Sequence, residues 1–186
     1  MKTVWISIRM LAVLSILTGL VYPLLMTGMA QALFPHQANG SMISENGNTV
    51  GSELIGQAFT SDKYFWPRPS AVDYNPLPSS GTNLGPTSAA LRDSIDARAA
   101  GFRAPVTIVP PDLLQASGSG LDPDISPEAA LFQVDRILEA RGRTLTGHAD
   151  LVVLVVSHTE QPQLGFLGEA RVNVLELNLA LDSLMP

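Results

Sequence analysis

The longest uninterrupted apolar stretch of the chain lies near its start. From Met10 to Phe34, 25 residues pass without a charged side chain. A helix of that length rises about 37 Å at roughly 1.5 Å per residue, which exceeds the roughly 30 Å hydrocarbon core of a bilayer. We therefore predict a transmembrane helix over residues 10–34, with a cytoplasmic N-terminus at residues 1–9. Pro23 lies inside this helix, where neighbouring groups can satisfy the carbonyl it frees.

A cleaved signal peptide is the alternative for this segment. Lys2 and Arg9 form a basic start, and the Ala-Gln-Ala sequence at residues 30–32 resembles a cleavage site. The uncharged run is longer than the roughly 7–15 residues of a signal-peptide core, which favours a retained anchor. Both interpretations export the rest of the chain, because the first basic residue after the run is Lys63. The following domain is expected to be extracytoplasmic.

Beyond the anchor, the pattern changes to short apolar runs separated by turn-forming residues. Residues 35–50 are polar and rich in Asn, Gly and Ser, which predicts a loop that serves as a linker. Residues 51–186 mix helical and strand patterns and predict a single compact domain of the α+β (mixed α/β) class. Within it, residues 72–87 carry several Pro and Gly residues and predict an ordered surface loop.

Helix and strand signals follow in the second half of the chain. Residues 151–156 (LVVLVV) are compatible with a buried strand, but Thr146 and Asp150 before them also allow a capped helix ending near His158, which we favour. The other predicted elements are a helix capped at Thr87 and stopping at Gly101, a strand over residues 105–111, a helix capped by Ser126 and ending at Gly142, and a helix capped by Asn173.

Composition and charge exclude several classes of function. Charged residues make up 15% of the chain, below the roughly 25% of soluble domains, which agrees with a membrane segment. Without cysteine there is no disulfide framework, thiolate zinc site, Fe–S cluster or cysteine nucleophile. After the anchor, 9 basic and 17 acidic side chains give a formal charge of −8. That balance argues against nucleic acid as a partner.

The segment of residues 116–130 most resembles a functional site. Ser117 and Ser119 lack the glycines of a nucleophile elbow, and the chain has no lysine after Lys63 for a phosphate loop. A third glycine for dinucleotide binding is also missing. Asp122 and Asp124 form only an incomplete set of oxygen ligands for a cation. A structural turn and a ligand or partner contact both remain open here.

An aromatic cluster at residues 51–71 has two interpretations. Its Tyr, Phe and Trp residues fit core packing, or they form a partner surface with Arg68 as an anchor. No metal site is predicted, because His148 and His158 are ten residues apart without a carboxylate at short helical spacing.

Several motifs in fixed order resemble one family. They are GSELIGQAFTSDKYFWPRPSA, YN at residues 74 and 75, SSGTNLGPT, ASGSGLDPDISP, QVDRILEARG, HTE at residues 158–160 and LGFLGEARVNVLELNLALD. Together they resemble the C subunit of the Kdp potassium-transporting P-type ATPase, over about residues 4–184. The candidate partner or ligand contacts are Arg68, Tyr74, Asn75, Asn83, Ser117, Ser119 and Asp122.

The resemblance implies a single-pass subunit of the bacterial inner membrane in an ATP-driven potassium uptake complex. Its implied partners are a channel-like A subunit, a P-type pump B subunit and a small F subunit. The family is described as assembling the complex and as a catalytic chaperone that raises the ATP affinity of the pump, with nucleotide binding among its properties. This chain has no DKTGT phosphorylation motif, so it is expected to be non-catalytic, with hydrolysis on a partner. An exported domain reaches cytoplasmic ATP only through conformational coupling.

Two alternatives from other classes are a stand-alone, membrane-anchored periplasmic cation-binding module and a hydrolase. The cation-binding module relies on the acidic charge with Asp122 and Asp124. The hydrolase would use Ser117 or Ser119 with His158. No cofactor is expected to bind the chain directly, while ATP and potassium act at the level of the complex.

Overall fold

The computed structural model describes residues 2–45, 47–102, 104–143 and 146–185, apart from the side chain of Thr146. The chain divides into two compact units, with the boundary between Val50 and Gly51. It combines helices with short strands and carries one long apolar helix at its N-terminal end. The mixed fold class is therefore confirmed.

The first unit is dominated by the apolar helix. It consists of α1 (Lys2–Ile16), a π-helical turn (Leu17–Val21) and α2 (Tyr22–Leu33). An 18-residue window of this 32-residue helix has a mean hydropathy of 2.0, and the helix is long enough to cross a membrane. The π turn ends two residues before Pro23, whose ring removes a backbone donor and crowds the preceding turn. The helix thus begins eight residues before the predicted start at Met10.

The prediction of a loop for residues 35–50 is wrong. This segment contains a helical turn, α3 (Pro35–Ala38), and a hairpin of β1 (Met42–Glu45) and β2 (Asn48–Ser52). Pro35 suits the first position of a helix because its fixed φ is already helical. Gly47 has a φ of 82° and provides the left-handed backbone of the hairpin turn. An Asn-Gly pair in the sequence could have indicated this hairpin.

The second unit packs helices against a small antiparallel sheet. The strands are β3 (Asp124–Ile125), β4 (Thr159–Glu160) and β5 (Arg171–Asn173), in the spatial order β3-β5-β4. Val172 of the central strand is opposite Ile125 on one side and Thr159 on the other. The helices are α4 (Ala89–Gly101), α5 (Pro111–Leu114), α6 (Pro127–Phe132), α7 (Val134–Ala140), α8 (Thr146–Ser157) and α9 (Val174–Leu184).

Two predicted helix caps are confirmed in detail. The Ser126 hydroxyl accepts a hydrogen bond from the Ala129 amide at 3.1 Å, with Pro127 at the start of α6. The Asn173 side chain accepts from the backbone amides of Leu175 and Glu176 at 3.1 and 3.2 Å. Each cap satisfies amides that lack a partner within the helix.

Three other local predictions need correction. Helix α4 begins after Ser88 rather than after a Thr87 cap, although it ends at Gly101 as predicted. The predicted helix from Ser126 to Gly142 is split into α6 and α7 at Gln133, whose side-chain amide donates to the Trp66 carbonyl. Residues 105–111 form turns and the start of α5 instead of a strand, because three prolines remove backbone donors. Residues 151–156 are helical, as favoured.

The core lies where α7, α8 and α9 meet the central strand. Val172, Leu177 and Leu181 are fully buried, as are Ile137, Leu151 and Val155. Phe65 is also 0% exposed, although the segment around it belongs to no helix or strand. The aromatic cluster therefore contributes to the core through Phe65, which agrees with the packing interpretation.

Two buried amide side chains hold this irregular segment. Asn178 accepts a hydrogen bond from the Phe65 amide at 2.8 Å and donates to the Phe65 carbonyl at 3.0 Å. Gln133 accepts from the Trp66 amide at 2.8 Å and donates to the Trp66 carbonyl at 3.1 Å. Asn178 is 2% exposed and Gln133 is 1% exposed. We call these two side chains the amide clamp, since they replace the hydrogen bonds of a neighbouring strand.

The amide clamp leads to a stability prediction. Asn178→Ala leaves the Phe65 N–H and carbonyl buried without a partner, so we expect a loss of roughly 2–4 kcal/mol in the free energy of unfolding. Denaturant unfolding of the full chain in detergent measures the change. Asn48→Ala, at an exposed position of β2, is the control and should stay within about 0.5 kcal/mol. Equal effects of the two substitutions would contradict the role of the clamp.

Candidate functional site

A surface lobe follows directly after the clamped segment. It consists of residues 68–87 together with residues 116–122, which we call the Ser70 lobe. The Ser70 hydroxyl donates to the Gly120 carbonyl at 2.7 Å and accepts from the amides of Val72 and Tyr74 at 3.1 and 2.9 Å. One hydroxyl thus joins the two halves of the lobe. Sequence reasoning missed Ser70 because its main partner is 50 residues away.

The two halves of the lobe touch through their backbones. A Cβ atom at Gly81 would lie 2.7 Å from the Gly118 carbonyl oxygen. At Gly120, where φ is +71°, a Cβ atom would lie 2.7 Å from both the Ser80 carbonyl oxygen and the Val72 side chain. Only glycine permits this approach, so Gly81 and Gly120 have a structural purpose here.

Tyr74 points back into the lobe. Its hydroxyl donates to the Arg68 carbonyl at 2.7 Å, and its backbone φ is 58°. Burial raises the pKa of Tyr74 to about 12, with a small further rise from Asp73 and an opposing effect of the Arg98 charge. Tyr74 therefore acts as a neutral donor within the lobe rather than as an exposed contact.

Asn75 and Asn83 lie on the exposed surface of the lobe. The Asn75 side chain accepts from the Leu77 amide at 3.0 Å, which shapes the turn before it. Asn83 has a φ of 53°, in the left-handed region that asparagine tolerates better than most residues. Leu77, between them in sequence, is 82% exposed. The lobe therefore presents amide groups and an aliphatic side chain on a backbone that is fixed by the internal hydrogen bonds of Ser70 and Tyr74.

Two serines of the predicted site have backbone partners. Ser117 is 2% exposed, and its amide donates to the Pro69 carbonyl at 3.0 Å. The Ser119 hydroxyl accepts from the Leu121 amide at 3.1 Å. His158 Nδ1 lies 2.9 Å from the Leu154 carbonyl oxygen at the end of α8, and the described contacts do not link it to either serine. The geometry gives no support to a hydrolytic Ser–His pair.

Arg68 and Asp122 are brought together at the edge of the lobe. Arg68 Nη1 lies 2.9 Å from Asp122 Oδ2, and both side chains are 30% exposed. The other carboxylate oxygen of Asp122 accepts from the Asp124 amide at 3.1 Å. The pair closes the lobe against the start of β3 and leaves Asp122 engaged, rather than open to a cation.

A second set of ion pairs lies beside the first. Arg171 Nε is 3.2 Å from Asp124 Oδ2, and Arg171 Nη2 is 2.7 Å from Glu160 Oε2. Burial raises the pKa of Asp124, while the Arg171 charge opposes that rise. Asp122 and Glu160 raise it slightly further. The two sets border a polar groove of about 430 Å³, which also includes Asp112, Gln115 and Glu169.

The described residues hold no group of three or more His, Asp or Glu side chains placed to bind a metal ion. Four of the charged side chains in the groove lining, Arg68, Asp122, Asp124 and Arg171, already form ion pairs with each other, which suits a polar protein surface better than a bare cation. Sequence reasoning located Arg68 and Asp122 but missed Arg171. Arg171 stands in one of the quoted motifs without a partner visible in the sequence.

Comparisons with known proteins agree over nearly the whole chain. Residues 4–183 match the family described as KdpC: K+-transporting ATPase, c chain. The potassium-transporting ATPase KdpC subunit of Geobacter sulfurreducens is 52% identical over 192 residues, covering 100% of both chains. The corresponding subunit of Rhodopseudomonas palustris is 48% identical over 202 residues, covering 100% of this chain and 99% of the relative. That of Variovorax paradoxus is 52% identical over 184 residues, covering 95% of this chain and 94% of the relative.

The state of Tyr74 leads to a pH prediction. Because its pKa is raised from 10.0 to about 12 in the folded chain, the folded state holds this proton more tightly than the unfolded state. The resulting stabilisation is complete below pH 10.0 and is lost as the pH rises to about 12. We expect Tyr74→Phe to reduce the fall in unfolding free energy across that range, as measured by denaturant titration at several pH values. Parallel curves for the two chains would show that Tyr74 is not buried as described.

Proposed function

The chain belongs to the KdpC family, the c chain of K+-transporting ATPases, and we propose that it is a non-catalytic subunit that assembles and stabilises such a complex. The observation that carries this proposal is the Ser70 lobe. Its irregular backbone is fixed by internal hydrogen bonds, while Asn75, Leu77 and Asn83 remain on the outside. A surface ordered before binding loses little conformational entropy when a partner covers it.

The N-terminal helix is proposed as a single membrane anchor in the bacterial inner membrane. Its 32 residues exceed the length needed to span a bilayer, and every side chain from residue 2 to residue 29 is exposed within this chain. Lys2 and Arg9 favour a cytoplasmic N-terminus, which would place the domain after residue 50 on the extracytoplasmic side. The family membership favours retention of this helix over cleavage as a signal peptide.

The proposed partners are a channel-like A subunit, a P-type pump B subunit and a small F subunit. Potassium is the transported ion, and ATP is hydrolysed by the pump subunit, since this sequence contains no DKTGT motif. The family assignment does not favour a stand-alone cation-binding module or hydrolase.

An increase in the ATP affinity of the pump is proposed to act through conformation. From the extracytoplasmic side, the domain is proposed to contact partner segments that exist in at least two arrangements. It is proposed to bind one of these arrangements more tightly than the other. Thermodynamic coupling then requires that tighter binding of this chain also favours the ATP-binding arrangement. No direct nucleotide contact by the Ser117 to Gly120 segment is needed for this effect.

Within the lobe, we assign the candidate residues two kinds of role. Asn75 and Asn83 are proposed as direct contacts with a partner, because they are exposed. The others are proposed to hold the lobe in shape through backbone hydrogen bonds or the ion pair at its edge: Arg68, Tyr74, Ser117, Ser119 and Asp122.

The lobe can be tested with two exposed substitutions, Asn75→Ala and Leu77→Ser, combined in the tagged full chain. We expect about tenfold weaker retention of the multi-span partners after detergent extraction, and a higher KM for ATP of the complex. The control combines Asn48→Ala with Ile108→Ser, an exposed amide and an exposed aliphatic residue elsewhere, and should retain the partners normally.

The outcomes separate two questions. If the unaltered chain brings down no multi-span membrane protein, the proposed subunit role is contradicted. If the unaltered chain retains its partners and the lobe variant retains them equally well, only the contact role of the lobe is contradicted. A loss of partners without any change in the KM for ATP of the remaining complex would contradict the proposed conformational coupling.

A further inference from the structure

An apolar tip stands out on the surface of the second unit. It consists of Leu164, Phe166 and Leu167, which are 83%, 73% and 49% exposed. They lie in the connection between β4 and β5, where residues 161–168 carry no charge. Three large apolar side chains exposed within four residues are unusual for a surface in permanent contact with water.

The tip has a fixed shape. Gln163 and Leu167 exchange two backbone hydrogen bonds of 2.9 Å each, and the Gly165 amide donates to the Pro162 carbonyl at 3.0 Å. Leu164 has a φ of 54°, a left-handed backbone that a leucine rarely adopts. The backbone of the turn therefore has its own hydrogen bonds, and its apolar side chains can enter a dry environment without leaving those groups unsatisfied.

Charge favours a protein over a lipid surface as the occupant. Glu160 and Glu169 flank the uncharged run, and the chain beyond residue 34 carries a formal charge of −8. Arg171, the nearest basic residue in sequence, is paired with Glu160 and Asp124. An anionic bilayer would repel this surface, whereas a protein pocket with a basic rim would complement it.

We propose that the apolar tip docks into an apolar pocket with a basic rim on another subunit of the transport complex. This inference rests on the proposed role as a complex subunit, but it concerns a surface separate in sequence from the Ser70 lobe. Beside the turn lies a hollow of about 280 Å³, lined by Pro162, Gln163 and Leu167 among others. A partner side chain can enter this hollow while the tip enters the partner's pocket. Aromatic and aliphatic residues at the centre of an interface provide most of its binding energy.

The absence of cysteine allows a direct test in the assembled complex. Phe166→Cys introduces the only thiol of the chain, at an exposed position where the substitution removes no buried contact. The protein is treated with a water-soluble maleimide, and labelling of this chain is measured from the increase in its mass. We expect labelling in the complex to be at least about tenfold slower than in the isolated chain in detergent, as docked side chains lose access to water.

Ile108→Cys is the matched control. Ile108 is also apolar, 61% exposed and located in a turn, but it lies far from the tip in sequence. Its labelling rate should be similar in the complex and in the isolated chain. If the Phe166→Cys chain is labelled at the same rate in the intact complex and in the isolated form, the docking proposal is overturned.

A photo-crosslinker identifies the occupant. The isolated full chain carrying Phe166→Cys is modified with benzophenone maleimide, assembled into the complex and irradiated in the membrane. A product with another subunit supports the proposal, whereas products with lipid alone or with a second copy of this chain overturn it. If the unaltered chain forms no complex, both the proposed function and this inference fail; if the complex forms and position 166 stays accessible, only this inference fails.

Discussion

The structure of the second unit depends on hydrogen bonds from two buried side-chain amides to the backbone of an irregular segment. Gln133 at the junction of α6 and α7 and Asn178 in α9 each bond both backbone groups of one residue, Trp66 and Phe65 respectively. A buried backbone without partners would cost roughly 1–3 kcal/mol for each unsatisfied group. Because the amides provide those partners, Phe65 can enter the core from a segment that is neither helix nor strand.

The same two amides fix the point from which the Ser70 lobe extends. Arg136 stacks 3.9 Å from the centre of the Trp66 ring and donates to the Tyr64 carbonyl at 3.0 Å, which secures the segment from a second side. Burial lowers the pKa of Arg136 to about 10, partly offset by Asp62. From this fixed point the chain passes to Arg68 and then to the Ser70 hydroxyl, so the exposed part of the lobe is built outward from the core.

Features that depend on neighbouring residues could be predicted from the sequence. The apolar N-terminal helix and the caps at Ser126 and Asn173 involve partners within a few positions, and the motif order identified the family. Ser70 and the amide clamp could not be predicted, because their partners lie 50, 67 and 113 residues away. A polar residue on the apolar side of a helix indicates only that a partner exists. The fold alone identifies that partner.

Amide hydrogen exchange of the full chain in detergent tests this account most directly. Phe65 and Trp66 belong to no helix or strand, so ordinary loop behaviour would make their amides exchange rapidly. The account predicts that both exchange as slowly as the amide of Leu181 in the core of α9, and much more slowly than that of exposed Thr82. Exchange of Phe65 and Trp66 at the rate of Thr82 would contradict the central role of the amide clamp.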